Sequence, residues 1–170
     1  MSQSLTLVLG GARSGKSRHA ETLVAALPAP RRYIATAQPL DEEMRQRIAL
    51  HRERRAGTFE THEVPIGLPA SILRLGRDGA PILVDCLTLW LSNLMLADHD
   101  IGAATAALER ALDATRAPIV LVANEVGLGI VPENALARRF RDGAGQLNQR
   151  MAERADNVTL LVAGLPLRVK

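Results

Sequence analysis

The sequence is poor in aromatic side chains: two Phe, one Tyr and one Trp make up 2% of its 170 residues. Proteins that grip single-stranded nucleic acid without sequence preference stack bases on aromatic platforms. So few and so scattered rings build no platform, so no nucleic-acid partner is expected despite a formal net charge of +3. Lysine is almost missing as well. Of 21 basic residues only Lys16 and Lys170 are lysines, which leaves 19 arginines. Basic positions that accept either residue have gone to arginine, so an internal lysine marks a place where chemistry asks for one. Cysteine occurs once, at Cys86. No disulfide can form within the chain, which suits a reducing cytoplasm, and Cys86 reads as a small buried side chain rather than a nucleophile. No apolar run reaches the length of a membrane span, so no stable membrane insertion is expected. The opening MSQSLTLVLGG lacks the basic stretch of a signal peptide.

What is present is a 47% hydrophobic chain, enough for a core of Leu, Val, Ile and Ala. Apolar runs at 5–9, 32–36, 82–86, 118–125 and 158–164 read as strands, and TFETHEV alternates like an edge strand. Segments 17–26, 41–55, 68–75, 87–97, 103–115 and 135–155 read as helices, the last weakened at Gly143 and Gly145. LRVK is read as a short added edge. Continuous apolar strands separated by helices imply a mostly parallel central sheet flanked by helices. There is no repeat or linker, so residues 1–170 are expected to form a single α/β domain.

GGARSGKS, Gly10, Gly11, Ala12, Arg13, Ser14, Gly15, Lys16 and Ser17, fits the phosphate-loop pattern G-x-x-x-x-G-K-[ST]. It follows a predicted buried strand and opens a helix, the context that gives the pattern meaning. Glycines let backbone N–H groups turn inward around phosphate oxygens, and the helix N-terminus adds positive potential. Lys16 can reach the outer phosphates and the Ser17 hydroxyl can ligate Mg²⁺. Such a loop needs a carboxylate near the metal, and ILVD places Asp85 at the end of a buried strand. The alternative for Asp85 is a cap on the next helix. The Asn-Lys-x-Asp stretch by which Ras-type GTPases recognise guanine is absent, so a P-loop kinase or nucleotidyltransferase fits better.

RIALHRERR, residues 47–55, raises a different question, because one histidine sits among arginines. At about 100° per residue, Met44, Ile48, His51 and Arg55 share a helical face, with Arg47 and Arg54 beside it. From the helix alone, His51 is a half-packed core residue surrounded by solvated arginines. Two considerations favour another reading. Neighbouring cations disfavour the imidazolium, which leaves a neutral, nucleophilic ring. The arginines also suit a polyphosphate, and a neutral imidazole beside a bound triphosphate can attack phosphorus to give a phosphoramidate.

GGARSGKSRHAE, YIATA, DEEMRQRIALHRERR, VDCLTLWLSNL and NEVGLGIVPENALARRFRDGAGQLNQR together resemble the bifunctional adenosylcobinamide kinase / adenosylcobinamide-phosphate guanylyltransferase family, nearly end to end and in order. The resemblance implies a cytoplasmic, RecA-like P-loop domain that assembles as a homotrimer and works late in adenosylcobalamin (vitamin B12) synthesis. It implies phosphorylation of the corrinoid adenosylcobinamide with ATP or GTP. Transfer of GMP from GTP to adenosylcobinamide phosphate then follows through a guanylylated histidine, with release of pyrophosphate. Carried onto this chain, the nucleophile is His51. Nucleotide contacts fall on Gly10 to Ser17, on Ile34, Ala35 and Thr36, on Arg52, Glu53, Arg54 and Arg55, on Glu63, and on Asp85. Glu63 read by itself is an exposed strand residue.

NEVGLGIVPEN follows a strand at its carboxyl end, where open α/β sheets bind ligands, so Asn124 and Glu125 are expected to face the corrinoid. The local alternative is a tight loop with Asn134 capping the next helix. Two other functions remain open on the sequence: a small-metabolite P-loop kinase without nucleotidyl transfer, which leaves His51 without a task, and a noncatalytic nucleotide-switched binding protein.

Overall fold

The computed structural model describes residues 4–39, 42, 45, 46, 49, 53 and 57–170. Seven strands form one sheet: β1 (Leu5–Gly10), β2 (Arg32–Ala35), β3 (Glu60–Glu63), β4 (Ile82–Asp85), β5 (Ile119–Asn124), β6 (Asn157–Val162) and β7 (Leu165–Arg168). Their spatial order is β3-β2-β4-β5-β1-β6-β7. Every neighbouring pair is parallel except β6 with β7. The five named helices are α1 (Lys16–Ala25), α2 (Leu68–Leu75), α3 (Leu87–Leu96), α4 (Ile101–Ala114) and α5 (Ala135–Arg154). Glu42, Arg45, Gln46, Ala49 and Glu53 are also helical.

The composition of the strands explains their places. β4 and β5 are runs of Ile, Leu, Val and Ala up to a polar last residue, and only that last residue escapes burial. A strand buried on both faces must be apolar throughout. ETHE in β3, by contrast, lies at the sheet edge with its end residues exposed. Alternate residues of β1, β2, β4 and β5 feed two cores. Leu7, Val84 and Leu121 pack with α2, α3, α4 and α5 on one face. Val8, Leu83 and Val122 pack with Ala20 and Val24 of α1 on the other.

Local devices fix the helices. Asp100 accepts a hydrogen bond from Ala103 N at 2.9 Å and caps α4. Asn134 accepts from Leu136 N and Ala137 N at 2.8 and 3.2 Å and caps α5. α2 ends at Gly76, where a Cβ would come within 2.1 Å of Thr115 Oγ1. The glycines of α5 do not interrupt it. A Cβ at Gly143 would sit 3.7 Å from the Leu91 side chain, so α5 and α3 run close together there. Trp90, 1% exposed, fills the core with its ring and donates its indole N–H to Ile66 O at 2.7 Å.

Among the described residues no helix is long and apolar enough to cross a membrane. Cys86 is a buried free cysteine, its thiol pushed up to about 12, first by burial and then by the Asp85 carboxylate. That thiol is not a nucleophile at neutral pH.

Candidate active site at the carboxyl edge of the sheet

The parallel strands β2, β4, β5 and β1 all end on one edge, and their chain order places polar residues there side by side. β1 runs into the phosphate loop. Gly15 adopts the left-handed conformation with φ of 91° and opens α1, a turn that a side chain would resist. Arg13 also has positive φ, 55°. Lys16 is 8% exposed and donates from Nζ to Gly11 O at 3.1 Å, so the ammonium folds back over its own loop. Ser17 follows half-buried in the first helical turn.

Asp85 ends β4, where the Tyr33 hydroxyl donates to its Oδ2 at 2.6 Å. The helix-cap alternative for Asp85 fails. The residue at the N-cap of α3 is Cys86, and no side chain caps that helix. Asp85 and Lys16 both act electrostatically on the thiol of Cys86, in opposite directions, which brings the two charges to one neighbourhood. A P-loop Mg²⁺ takes one hydroxyl and one carboxylate from the protein and completes its shell with water and phosphate oxygens. Ser17 and Asp85 fit that sparse set, and the Asp85 carboxylate keeps an oxygen not engaged by Tyr33. A cluster of three or more His, Cys, Asp or Glu is absent among the described residues.

Behind the edge lies a buried clasp that the sequence did not announce. Thr36 is 0% exposed. Its hydroxyl donates to Cys86 O at 2.7 Å and accepts from Cys86 N at 2.9 Å. Thr36 N donates to Asp85 O at 3.0 Å. Asn93 Nδ2 donates to Thr36 O at 2.8 Å and to Pro65 O at 2.9 Å. The end of β2 is thereby fastened to the strand end that carries Asp85. Of the three residues expected on this strand, Ile34 is enclosed in the core, Thr36 spends its hydroxyl on the clasp, and Ala35 is half-exposed.

β5 carries Asn124 and Glu125 to the same edge, between the loop and Asp85. Asn124 pairs with Gly10, and Glu125 N donates to Gly10 O at 3.1 Å. Asn124 N donates to Thr88 Oγ1 at 2.7 Å, and Asn124 O accepts from Asn148 Nδ2 at 3.1 Å. The Glu125 carboxylate turns onto Gly127 N at 2.5 Å and shapes the loop after β5. In that loop Leu128 and Ile130 are 89% and 97% exposed. Glu63, at the end of β3, is exposed on this edge as well. The neighbouring His62 has its pKa lowered, first by burial and then by Arg74. Of the arginine-rich segment, Glu53 is helical and exposed, whereas His51, Arg52, Arg54 and Arg55 lie outside the described residues.

Sequence reasoning missed Tyr33, Thr88, Asn93 and Asn148 as supports of this edge. Asn93 alone offered a signal, an amide in the otherwise apolar run LTLWLSNLML. Gly164 was missed too. Its N–H donates to Ser14 O at 3.0 Å, so the β6–β7 turn rests on the phosphate loop. A depression lined by Leu5, Leu112, Thr115 and Asp156 lies at the opposite edge, where the strands begin, away from these groups.

A family profile described as cobinamide kinase / cobinamide phosphate guanyltransferase matches residues 6–169. The chain is 49% identical over 166 residues to the bifunctional adenosylcobalamin biosynthesis protein CobP of Pseudomonas aeruginosa, covering 96% of each. It is 45% identical to the bifunctional adenosylcobalamin biosynthesis protein CobU of Salmonella typhimurium, covering 98% of this chain and 99% of that relative. Among solved structures, the flagellar accessory protein FlaH of Methanocaldococcus jannaschii superposes with a TM-score of 0.59 at 15% identity, over 99% of this chain and 79% of that one. That likeness bears on the fold alone, and the fold is of the RecA-like P-loop kind.

Proposed function

The chain belongs to the cobinamide kinase / cobinamide phosphate guanyltransferase family, and on that premise we propose that it is a bifunctional enzyme of adenosylcobalamin synthesis. It phosphorylates adenosylcobinamide with ATP or GTP and then moves GMP from GTP onto the new phosphate. The observation that carries this reading is the convergence of the phosphate loop, Asp85 and the end of β5 on one edge of a parallel sheet.

In the first reaction the corrinoid hydroxyl attacks the γ-phosphorus, the bond to the β-bridging oxygen breaks, and the nucleoside diphosphate leaves. The backbone N–H groups of Gly10 to Ser17 bind the phosphates, and Lys16 swings from Gly11 O to the outer oxygens. Ser17 and Asp85 would hold Mg²⁺, which supplies charge neutralisation at the phosphates. In the second reaction the neutral ring of His51 attacks the α-phosphorus of GTP. A P–N bond forms and pyrophosphate leaves. The phosphate of adenosylcobinamide phosphate then attacks the same phosphorus, the P–N bond breaks, and adenosylcobinamide-GDP is the product. Arg52, Arg54 and Arg55 neutralise the triphosphate, while Ala35 and Glu63 line the nucleotide side of the edge and Glu125 the corrinoid side.

We read residues 1–170 as one domain working in the cytoplasm as a homotrimer. The open antiparallel edge at β7, with Leu165 and Leu167 72% and 57% exposed, is the kind of surface that association between subunits covers. The test is GTP labelled at the α-phosphate, followed by mass spectrometry of the protein. A GMP adduct on His51, labile to acid, stable to base and discharged by adenosylcobinamide phosphate, is expected. His51→Ala loses the adduct and keeps phosphorylation of adenosylcobinamide. An adduct that persists in His51→Ala refutes the assignment.

A further inference from the structure

The chain holds one tyrosine, and it is enclosed. Tyr33 is 1% exposed and lies in the core beneath α1 with Val8, Ala20, Val24, Leu83 and Val122. Phe59 meets its ring edge-on, with centroids 5.8 Å apart and planes at 73°. These neighbours are apolar, and a phenylalanine would pack among them as well as a tyrosine does. A buried hydroxyl costs stability unless it is bonded. The bond it makes is to a carboxylate: Tyr33 Oη donates to Asp85 Oδ2 at 2.6 Å.

Strand geometry explains the reach. Tyr33 pairs with Leu83 and Ala35 with Asp85 across β2 and β4. Tyr33 and Leu83 turn into the core beneath α1, and alternation turns Asp85, two residues on, to the same face. α1 covers this face, and its first turn carries Ser17. Two residues of strand rise about 6.6 Å, a distance that the long side chain of tyrosine spans. Asp85 is half-buried, so the phenol comes to it from the core side. The ring, wedged between Phe59 and the core, cannot turn with the carboxylate and holds it in one orientation. One carboxylate oxygen is claimed and the other is left.

We propose that Tyr33 is a positioning residue that makes Asp85 a one-oxygen ligand and thereby sets a preference of the site for Mg²⁺ over Ca²⁺. The proposal rests on the reading of Ser17 and Asp85 as the protein ligands of the metal and deepens it. Mg²⁺ demands near-ideal octahedral geometry and keeps several waters, whereas Ca²⁺ accepts about six to eight oxygens and takes carboxylates by one oxygen or by both. With Oδ2 held by the phenol, the second contact is open to Ca²⁺ only at the expense of the Tyr33 bond. Mg²⁺ gives up nothing. The proton of the hydroxyl is engaged with Asp85, so Tyr33 acts through that carboxylate rather than on a substrate.

The test uses Mn²⁺ in place of Mg²⁺, since both suit oxygen ligands in octahedral array. Free Mn²⁺ is counted by electron paramagnetic resonance with the non-hydrolysable β,γ-imido analogue of GTP, alone and with excess protein, and the bound ion is then displaced with Ca²⁺. The parent, Tyr33→Phe, Asp85→Asn and the double variant are compared, alongside thermal melts without metal. The parent with the analogue binds Mn²⁺ more tightly than the analogue alone. In Tyr33→Phe, Ca²⁺ displaces Mn²⁺ at about tenfold lower concentration, the size of one hydrogen bond to a charged group. In the Asp85→Asn background the same substitution leaves the preference between the two ions unchanged, because the phenol works through the carboxylate. A merely structural tyrosine predicts a lower melting temperature with both ions weakened alike. A parental preference in Tyr33→Phe therefore overturns the proposal, and so does an equal shift in the Asp85→Asn background. A parent that binds Mn²⁺ no better than the analogue alone refutes instead the metal reading of Ser17 and Asp85, and the proposal falls with it.

Discussion

Replacing Thr36 by valine tests the clasp behind the active edge. Valine has nearly the shape of threonine, so the change removes a hydroxyl and little volume. That hydroxyl serves both the N–H and the C=O of Cys86, at 2.9 and 2.7 Å. Thr36 is 0% exposed and Cys86 4%, so water cannot replace it. The Cys86 C=O keeps the bond it accepts from Trp90 N at 3.1 Å, so the group left unpaired is the Cys86 N–H, at about 1–3 kcal/mol. For a chain of this length that is a fall in Tm of roughly 2–12 °C. Thr36→Ser keeps the hydroxyl and loses one buried methyl, about 1 kcal/mol. The expected order of stability in urea denaturation, with m unchanged, is parent, then serine, then valine. Pure packing predicts the reverse order of the two variants, because valine fills the site and serine leaves a void. A valine variant as stable as the serine variant would refute the clasp. Mg²⁺-dependent turnover is expected to follow the same order, since Cys86 adjoins Asp85.

Lys16→Met lowers phosphorylation of adenosylcobinamide by about 10²–10³-fold, the scale for losing one electrostatic stabiliser, and unchanged turnover would remove the phosphate loop from the mechanism. Asp85→Asn weakens both reactions and shifts the Mg²⁺ titration to higher concentration; a curve coinciding with the parent's would leave Asp85 no metal role. Asp78, exposed, is held down at about 2, chiefly by its hydrogen bonds from Arg32 and then by the Ala80 N–H. A carboxyl lowered from 3.8 in this way stabilises the fold above its unfolded value, and the contribution disappears as pH falls toward 2. The melting-temperature gap between the parent and Asp78→Asn is therefore present at neutral pH and closes in acid, and a gap independent of pH would contradict the ion pair.

The parts of this enzyme visible in the sequence are those with local signatures. The apolar strands, the phosphate loop and the bounds of α2 depend on neighbours in the chain, and each lies within a residue or two of where the periodicity put it. Strand order is another matter. That β5 lies between β1 and β4 decides that Asn124 stands between the phosphate loop and Asp85, and nothing near 124 encodes it. The same holds for the clasp, whose partners are 50 and 57 residues apart. For Asp85 the alternative to a metal role was a cap on the next helix, because an acid stands just before CLTLW. The backbone decides otherwise, by placing Cys86 at that position. LRVK was legible as an edge, but the turn before it, which touches Ser14, was not.

That turn bears on how the protein is made. β1 is translated before the other six strands of this sheet, yet its two neighbours are β5 and β6. The loop that follows it rests on Gly164, near the other end of the chain. A nascent chain that stops short of β6 has its nucleotide loop next to an unpaired strand edge, with nothing beneath Ser14. The site is thus assembled last although its motif is translated first, and a truncated product is excluded from catalysis by the topology of the sheet itself.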